Sequence, residues 1–142
     1  MEFFAKEFSK LTLWELYEIL KSRAEIFLLE QRIVCQDLDD VDKECLHCFY
    51  TDGERVVACL RAYKTADGVK VGRVLTLEHG NGTGAKLMTQ SIEEIKKHFG
   101  CDEIFVHAQT RSAGFYEKMG FYVTSDEFME EGVPHIIMKK DL

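Results

Sequence analysis

The chain has 142 residues, 46% of them hydrophobic and 30% charged, which is typical of one globular domain with its own core. The net charge of −7 argues against nucleic acid as the main partner, because phosphate binding needs a basic face. It leaves room for a cationic partner such as an amine, but solubility alone is the favoured explanation of the charge. No apolar run approaches the ~20 residues that cross a membrane, and the charged N-terminal stretch is unlike a signal peptide. We therefore expect a cytoplasmic protein with no membrane contact, whose five cysteines stay reduced.

The first half of the chain is predicted to hold one helix and three strands. Thr12 and Glu15 have the spacing of a capping box, so a helix is expected from there to about residue 27. Its expected buried stripe consists of Leu13, Leu16, Tyr17, Leu20 and Ala24. Residues 35–44 are acidic and indicate a loop. Alternating apolar residues and Asp-Gly turn signals then predict strands over 45–51, 55–63 and 69–77.

The second half is predicted to begin with a long helix over residues 83–99, ended by Gly100. Its expected buried side consists of Leu87, Met88, Ile92, Ile95 and Phe99. A strand over 103–108, a short helix over 112–119 and closing strands over 121–125 and 135–139 follow, with a turn near residues 131–132. This order predicts an α/β (α+β) single domain over residues 1–142. Its sheet is expected to be mixed, mostly antiparallel, of about six to seven strands flanked by helices, and not doubly wound.

A metal site is suggested by Cys45, His47 and Cys48 but is not expected. On a strand, residues 45 and 48 point to opposite faces, so they cannot share one ion. No second cysteine pair or histidine pair follows to complete four ligands.

Three alternating glycines, Gly80, Gly82 and Gly84, lie between a predicted strand and a predicted helix. This layout is typical of an anion site, because free amides and the helix dipole attract phosphate, and Lys86 is the nearest cation. A Walker loop is excluded, since Lys86 stands at the wrong spacing. A dinucleotide site is disfavoured, since no acidic residue ends the next strand. An ordinary tight turn is the remaining alternative.

Two motifs resemble those of the GNAT acetyltransferases. The turn from His79 to Gly84 resembles their Gln/Arg-x-x-Gly-x-Gly/Ala pyrophosphate motif, and the run from Phe115 to Phe121 resembles their second signature. Further stretches are similar to the ElaA-like branch: Arg23-x-x-x-Phe27-x-x-Glu30-Gln31, Gln36-Asp37-Leu38-Asp39, Gly72-Arg73-Val74, Ala108-Gln109 and Gly132-Val133-Pro134-His135-Ile136. The turn departs from the family at His79, where Arg or Gln is usual, and at Asn81, where a basic residue is common.

The resemblance implies the GNAT fold and acetyl-CoA as the cofactor. The acetyl group would pass to a primary amine by direct attack in a ternary complex. The residues implied to hold coenzyme A are Val74, Leu75, Thr76, His79, Gly80, Asn81, Gly82, Thr83, Gly84, Ala85, Lys86, Gln109, Phe115 and Tyr116.

The resemblance also assigns roles at the reacting centre. Tyr116 is the expected general acid at the sulfur, since a phenol stays protonated at neutral pH. His135, Glu30 or a water chain is the candidate base. The residues expected to shape the acceptor pocket are Arg23, Glu30, Gln31, Gln36, Asp37 and His135. For the first five, a polar network tying the first helix to the following loop is an equally weighted alternative.

Two other functions stay open at this stage. One is a non-catalytic acyl-CoA-binding sensor on the same fold; the other is a protein-interaction domain whose glycine turn is only structural. The acceptor is either a small-molecule amine or a protein amine, and the sequence does not decide whether the chain forms a homodimer.

Overall fold

Eight strands form one mixed sheet in the computed structural model, which describes residues 1–142. The strands are β1 Glu2–Glu7, β2 Leu46–Thr51, β3 Val56–Thr65, β4 Gly68–Thr76, β5 Glu103–Gln109, β6 Tyr122–Val123, β7 Phe128–Glu130 and β8 Val133–Asp141. They lie in the order β1-β2-β3-β4-β5-β8-β6, with β7 also paired to β8. Only β4 and β5 run parallel. The predicted mixed, mostly antiparallel fold is confirmed, while β1 and β7 were not predicted.

The helices are α1 Leu13–Arg23, α2 Thr83–Phe99 and α3 Ala113–Lys118. α2 has the predicted bounds because glycines end it on both sides: Gly82 and Gly100 have φ of 81° and 62°, which favours glycine. Its apolar side packs into the larger of two cores, which also receives Tyr116 of α3. The smaller core lies under α1, so the two faces of the sheet are covered by different helices.

The first helix differs from its prediction in both length and orientation. The capping box of Thr12 and Glu15 is present, but a π-helical segment, Ala24–Glu30, extends the helical run. The predicted apolar stripe is wrong, since Leu13 is 88% and Tyr17 67% exposed. The buried face instead carries mostly polar residues: Glu15, Glu18, Ile19, Ser22 and Arg23. Tertiary contacts pair Glu15 with Lys6, Arg23 with Asp42 and Ser22 with the Val56 carbonyl, and Glu18 pairs with Lys21 of the same helix. Burial here therefore does not follow hydrophobicity.

Cys48 of β2 lies in the larger core, whereas Cys45 immediately precedes β2 and lies outside that core. Cys45 instead shares a face with His47 and Asp42, with the three potential ligand atoms within 4.8 Å of one another. Two arginines already bind the Asp42 carboxylate, and burial raises the pKa of the Cys45 thiol to about 12. This donor set disfavours a cation.

None of the helices combines the length and the apolar character needed to span a bilayer.

Candidate functional site

The candidate site begins where β4 separates from β5. The two strands pair only from Val69 to Val71 against Ile104 to Val106, although both continue beyond that point. An extra residue in β4 causes a bulge there: the register with β3 skips between Leu75 and Gly72, and Arg73 has a φ of 51°. The backbone of the two strands beyond the bulge therefore faces an opening in the middle of the sheet.

A cavity lies at this opening. Five strands, α3 with the residue before it, and the helical run and loop after α1 contribute its lining. The lining residues that carry polar or titratable side chains are Cys35, Asp37, Arg61, Tyr63, Lys70, Arg73, His107, Gln109, Ser112, Tyr116, Glu130, Glu131 and His135. Such a convergence of titratable groups in one concave site is typical of an enzyme active site.

Tyr116 lines the cavity while remaining only 8% exposed. Its ring packs edge-on against Phe115 and Phe121, with centroids 5.2 and 5.3 Å away. Burial raises the pKa of the phenol. The hydroxyl is therefore protonated throughout the physiological range and can donate a proton into the cavity.

His135 also lines the cavity, on β8, beside Gln109 of β5 in the strand register. Its Nδ1 is 2.7 Å from the Val133 carbonyl oxygen and donates to it. The other ring nitrogen, Nε2, faces the Glu130 carboxylate at 3.6 Å. This imidazole is held in one orientation with its second nitrogen turned toward the other polar groups of the cavity.

The glycine turn follows β4 and leads into α2. Gly80 and Gly82 both have positive φ, of 79° and 81°, a conformation that favours glycine. Asn81 Oδ1 accepts a hydrogen bond from the Thr83 amide at 3.2 Å, so an oxygen ligand already fits the helix N-terminus. A side chain at Gly84 would meet the Phe115 ring at 3.4 Å, which explains the third glycine.

His79 precedes the turn and is bound by Glu30. The imidazole Nε2 is 2.9 Å from Glu30 Oε1, and both side chains are exposed. The pair links the end of the first helical run to the glycine turn. Glu30 thus lies beside the turn and outside the cavity lining, and Glu78 adds a second carboxylate there through its contact with Asn81.

Three arginines and three aspartates form one ion network next to the cavity. Arg23, 1% exposed, donates to Asp37 at 2.9 Å and to Asp42 at 2.7 Å. The remaining pairs are Arg61 with Asp39 and Asp42, and Arg73 with Asp37 and Asp39. The network is neutral overall, and Arg23 is too deeply buried to reach an acceptor. Of its members, Arg61, Arg73 and Asp37 line the cavity.

Gln31 and Gln36 also lie outside the cavity lining. Gln31 accepts a hydrogen bond from Gln109 Nε2 at 3.0 Å, and Gln109 in turn accepts one from Arg111. Gln36 is exposed and donates to the carbonyl of Leu38 within its own loop. Of the six residues predicted for the acceptor pocket, only Asp37 and His135 line the cavity.

The sequence interpretation missed Lys70, His107 and Glu130, which line the cavity beside His135. Each stands on a different strand, so no spacing in the chain connects all of them. One signal was available: Glu130 and His135 flank the predicted turn near residues 131–132, so a hairpin brings them to neighbouring strands.

Comparisons with known proteins agree with this geometry. The sequence profile of the acetyltransferase (GNAT) domain matches residues 21–142. The uncharacterised protein YyaT of Bacillus subtilis is 33% identical over 133 residues, covering 90% of this chain and 90% of that protein. The crystal structure of Escherichia coli ElaA superposes with a TM-score of 0.92 at 28% identity, covering 99% of both chains. That of an acyl-CoA N-acyltransferase from Pseudomonas aeruginosa gives 0.91 at 26% identity, again over 99% of both.

The matched region contains the opening between β4 and β5, the glycine turn and Tyr116. The profile covers most of the chain, and the superpositions extend over nearly all of it. The chain therefore belongs to the GNAT acetyltransferase family, in its ElaA-like branch.

Proposed function

We propose that this chain is an N-acetyltransferase that transfers an acetyl group from acetyl-CoA to a primary amine. The observation that carries the proposal is the opening between β4 and β5, which exposes strand backbone beside Tyr116 and His135. Backbone amides in such a position can stabilise the oxyanion that develops when an amine attacks a thioester carbonyl. The acceptor is a small-molecule amine or an amine of a protein.

The glycine turn supports acetyl-CoA as the acetyl donor. Amides of residues 80–84 and the N-terminus of the 17-residue α2 suit a pyrophosphate, and Lys86 adds a positive charge one turn into the helix. The Thr83 amide already binds an oxygen, that of Asn81. Backbone groups of residues 74–76 would hold the pantetheine arm. Bound acetyl-CoA supplies the acetyl group as an activated thioester.

The proposed reaction moves two protons away from the acceptor ammonium. A cavity base takes the first, which frees the nitrogen lone pair to form the C–N bond. The C–S bond then breaks, and Tyr116 donates its phenolic proton to the leaving thiolate. The second proton from nitrogen leaves the amide product and restores the phenol through solvent. His135, which lines the cavity, is proposed to contact the acceptor amine.

The protonation of the cysteine thiols favours direct attack over a covalent acyl-cysteine intermediate. Cys35 is the cysteine that lines the cavity, and burial raises the pKa of its thiol. Cys45, Cys48 and Cys59 are buried, and desolvation raises their pKa values to about 12. A protonated thiol is a poor nucleophile, so the acyl group is expected to pass straight to the amine.

The proposal is tested by calorimetric titration with acetyl-CoA, followed by a screen of amine acceptors read by release of free thiol. We expect saturable binding and thiol release that depends on one class of amine. No heat of binding at roughly 1 mM acetyl-CoA, the weak end of small-molecule affinity, would contradict the proposal. Binding without turnover of any amine would favour a non-catalytic sensor.

Glu30→Gln is expected to tighten acetyl-CoA binding by about two- to fivefold. The substitution removes one exposed negative charge beside the glycine turn and releases His79 to face the pyrophosphate. Exposed charges contribute roughly 0.2–1 kcal/mol, and salt screens them, so the gain should shrink as ionic strength rises. Calorimetry at low and high salt measures both effects.

The matched control is Glu25→Gln, which removes an exposed carboxylate that pairs with Arg55, away from the turn. Its acetyl-CoA affinity should equal that of the wild type. A Glu30→Gln protein with unchanged affinity and a kcat lowered by about 100-fold would instead support Glu30 as the general base.

A further inference from the structure

Four titratable side chains from four strands meet at the cavity wall. His107 lies on β5, and its Nδ1 is 2.8 Å from Glu130 Oε1 of β7. The second oxygen of that carboxylate, Oε2, faces His135 Nε2 of β8 at 3.6 Å. Lys70 of β4 places its Nζ 3.4 Å from His107 Nδ1. Glu130 is thus a carboxylate shared by two imidazoles, with an ammonium group beside it.

The carboxylate fixes which nitrogen of His107 carries the proton. Burial alone would raise the pKa of Glu130, but the hydrogen bond from His107 and the charges of His107 and Lys70 outweigh it and lower the pKa. An ionised carboxylate only accepts hydrogen bonds, so His107 Nδ1 must donate to it. In the neutral ring, Nε2 is then the unprotonated nitrogen, able to accept a proton.

His135 is less suited to the same task. Its side chain is 9% exposed, against 24% for His107, and its free nitrogen already faces Glu130. His107 keeps Nε2 free because its other nitrogen is the one bound to the carboxylate. Phe128 contacts both imidazoles: its ring meets His107 edge-on with centroids 5.4 Å apart and stacks on His135 at 6.1 Å.

We propose that His107 Nε2 accepts the first proton from the acceptor ammonium and that Glu130 is the positioning residue that makes this possible. The inference rests on the proposed acetyltransferase function and names its general base. In the step, an N–H bond of the ammonium breaks and an N–H bond forms at Nε2. The resulting imidazolium is stabilised by the Glu130 carboxylate 2.8 Å from Nδ1, and it later releases the proton to solvent.

Other charges face His107 and bear on its protonation. Lys70 disfavours a positive imidazole, but burial lowers the pKa of Lys70 itself and Glu130 offsets its charge. Beyond it, the guanidinium groups of Arg61 and Arg73 are matched by the aspartates of the ion network. Glu131 adds an exposed carboxylate at the cavity mouth. The cluster therefore has no excess positive charge that would oppose a proton at His107.

The test compares pH–rate profiles of His107→Asn, Glu130→Gln and His135→Asn with the wild type. His107→Asn should lower kcat by about 100-fold or more and abolish the decline of kcat at acid pH, which reports protonation of the base. Glu130→Gln should lower kcat by about tenfold or more and move that decline to lower pH, since the imidazolium loses its counter-charge. His135→Asn should raise the KM for the amine and keep the decline.

The matched control is His98→Asn, since His98 is an imidazole on α2 that faces a carboxylate, Glu7, at 3.7 Å outside the cavity. It should behave as the wild type. Calorimetric binding of acetyl-CoA must be unchanged in all variants, which shows that they fold and keep the cofactor site.

Failure of this inference differs from failure of the proposed function. A wild-type protein that turns over no amine would remove the function itself. A wild-type protein that is active while His107→Asn keeps both its kcat and its acid decline would overturn the role of His107. Loss of the acid decline in His135→Asn but not in His107→Asn would reassign the base to His135.

Discussion

Tyr116→Phe is expected to lower kcat by about two to four orders of magnitude while leaving acetyl-CoA affinity within about twofold of the wild type. The phenol is the acid that lines the cavity beside the opening, and burial raises its pKa, so it holds its proton when the thiolate leaves. Phenylalanine keeps the ring, which packs edge-on between Phe115 and Phe121. Only the proton donor is lost, so steady-state kinetics should change and calorimetric binding should not.

The direction of the pKa shift adds a pH prediction to this experiment. An acid whose pKa is raised stays protonated to higher pH than usual, so Tyr116 should impose no loss of kcat below about pH 10. Tyr122→Phe is the matched control, since the Tyr122 phenol is exposed on β6, outside the cavity, and donates a hydrogen bond to Asp141. A Tyr116→Phe enzyme with wild-type kcat would mean that the thiolate leaves without this donor.

The best predictions were for elements whose bounds are determined by residues within or next to the element itself. α2 was predicted over residues 83–99 and extends over Thr83–Phe99, because glycines at both ends require positive φ and the apolar period matches a helix. By contrast, β1 was missed because its charged residues give it no apolar alternation. It exists because its backbone pairs with β2, a long-range contact that periodicity does not encode.

The orientation of α1 shows a second limit of hydrophobic patterns. Its inward face carries Glu15 and Arg23, and its outward face carries Leu13 and Tyr17. Partners far along the chain, such as Lys6 for Glu15, satisfy the buried charges. The two partners of such an ion pair have no fixed separation in the sequence, so the pattern within the helix does not reveal them. The apolar stripe therefore predicted the wrong face.

The residues of the candidate site also fall into two groups, those that the sequence predicts and those that it does not. The glycine turn and Tyr116 could be located because each lies in a contiguous motif that the sequence contains whole. The Glu130 carboxylate and His107 could not, because they meet only when β7 and β5 pack on either side of β8. The acceptor-pocket prediction for Arg23 was made from a contiguous stretch too, but in the structure that buried side chain pairs with Asp37 and Asp42.

Asp42→Ala is expected to reduce the free energy of unfolding by about 3–5 kcal/mol. Asp42 is 6% exposed, and its Oδ1 accepts from Arg23 Nη1 at 2.7 Å and from Arg61 Nη1 at 3.0 Å. Both arginines are buried, at 1% and 3% exposure, so removing the carboxylate leaves two desolvated cations without their shared partner. Urea unfolding followed by circular dichroism measures the loss.

Glu44→Ala is the matched control, because Glu44 lies two residues along the chain from Asp42 and is exposed. Its stability should lie within about 0.5 kcal/mol of the wild type. A loss below about 1 kcal/mol for Asp42→Ala would mean that the arginines find other partners or water when the carboxylate is removed.

The same ion network predicts how low pH destabilises the protein and how this loss of stability affects the candidate site. The hydrogen bond from Arg61 lowers the pKa of Asp39 to about 2, and the two arginines outweigh burial to lower that of Asp42. Carboxyls with depressed pKa contribute stability above their unfolded pKa of about 4 and lose it as pH falls toward about 2. Arg73, whose backbone forms the β4 bulge, pairs with Asp37 and Asp39 of this network. Asp42→Ala should therefore flatten the acid limb of the stability profile. Protonation of Asp39 at low pH should weaken the support that the bulge receives through Arg73.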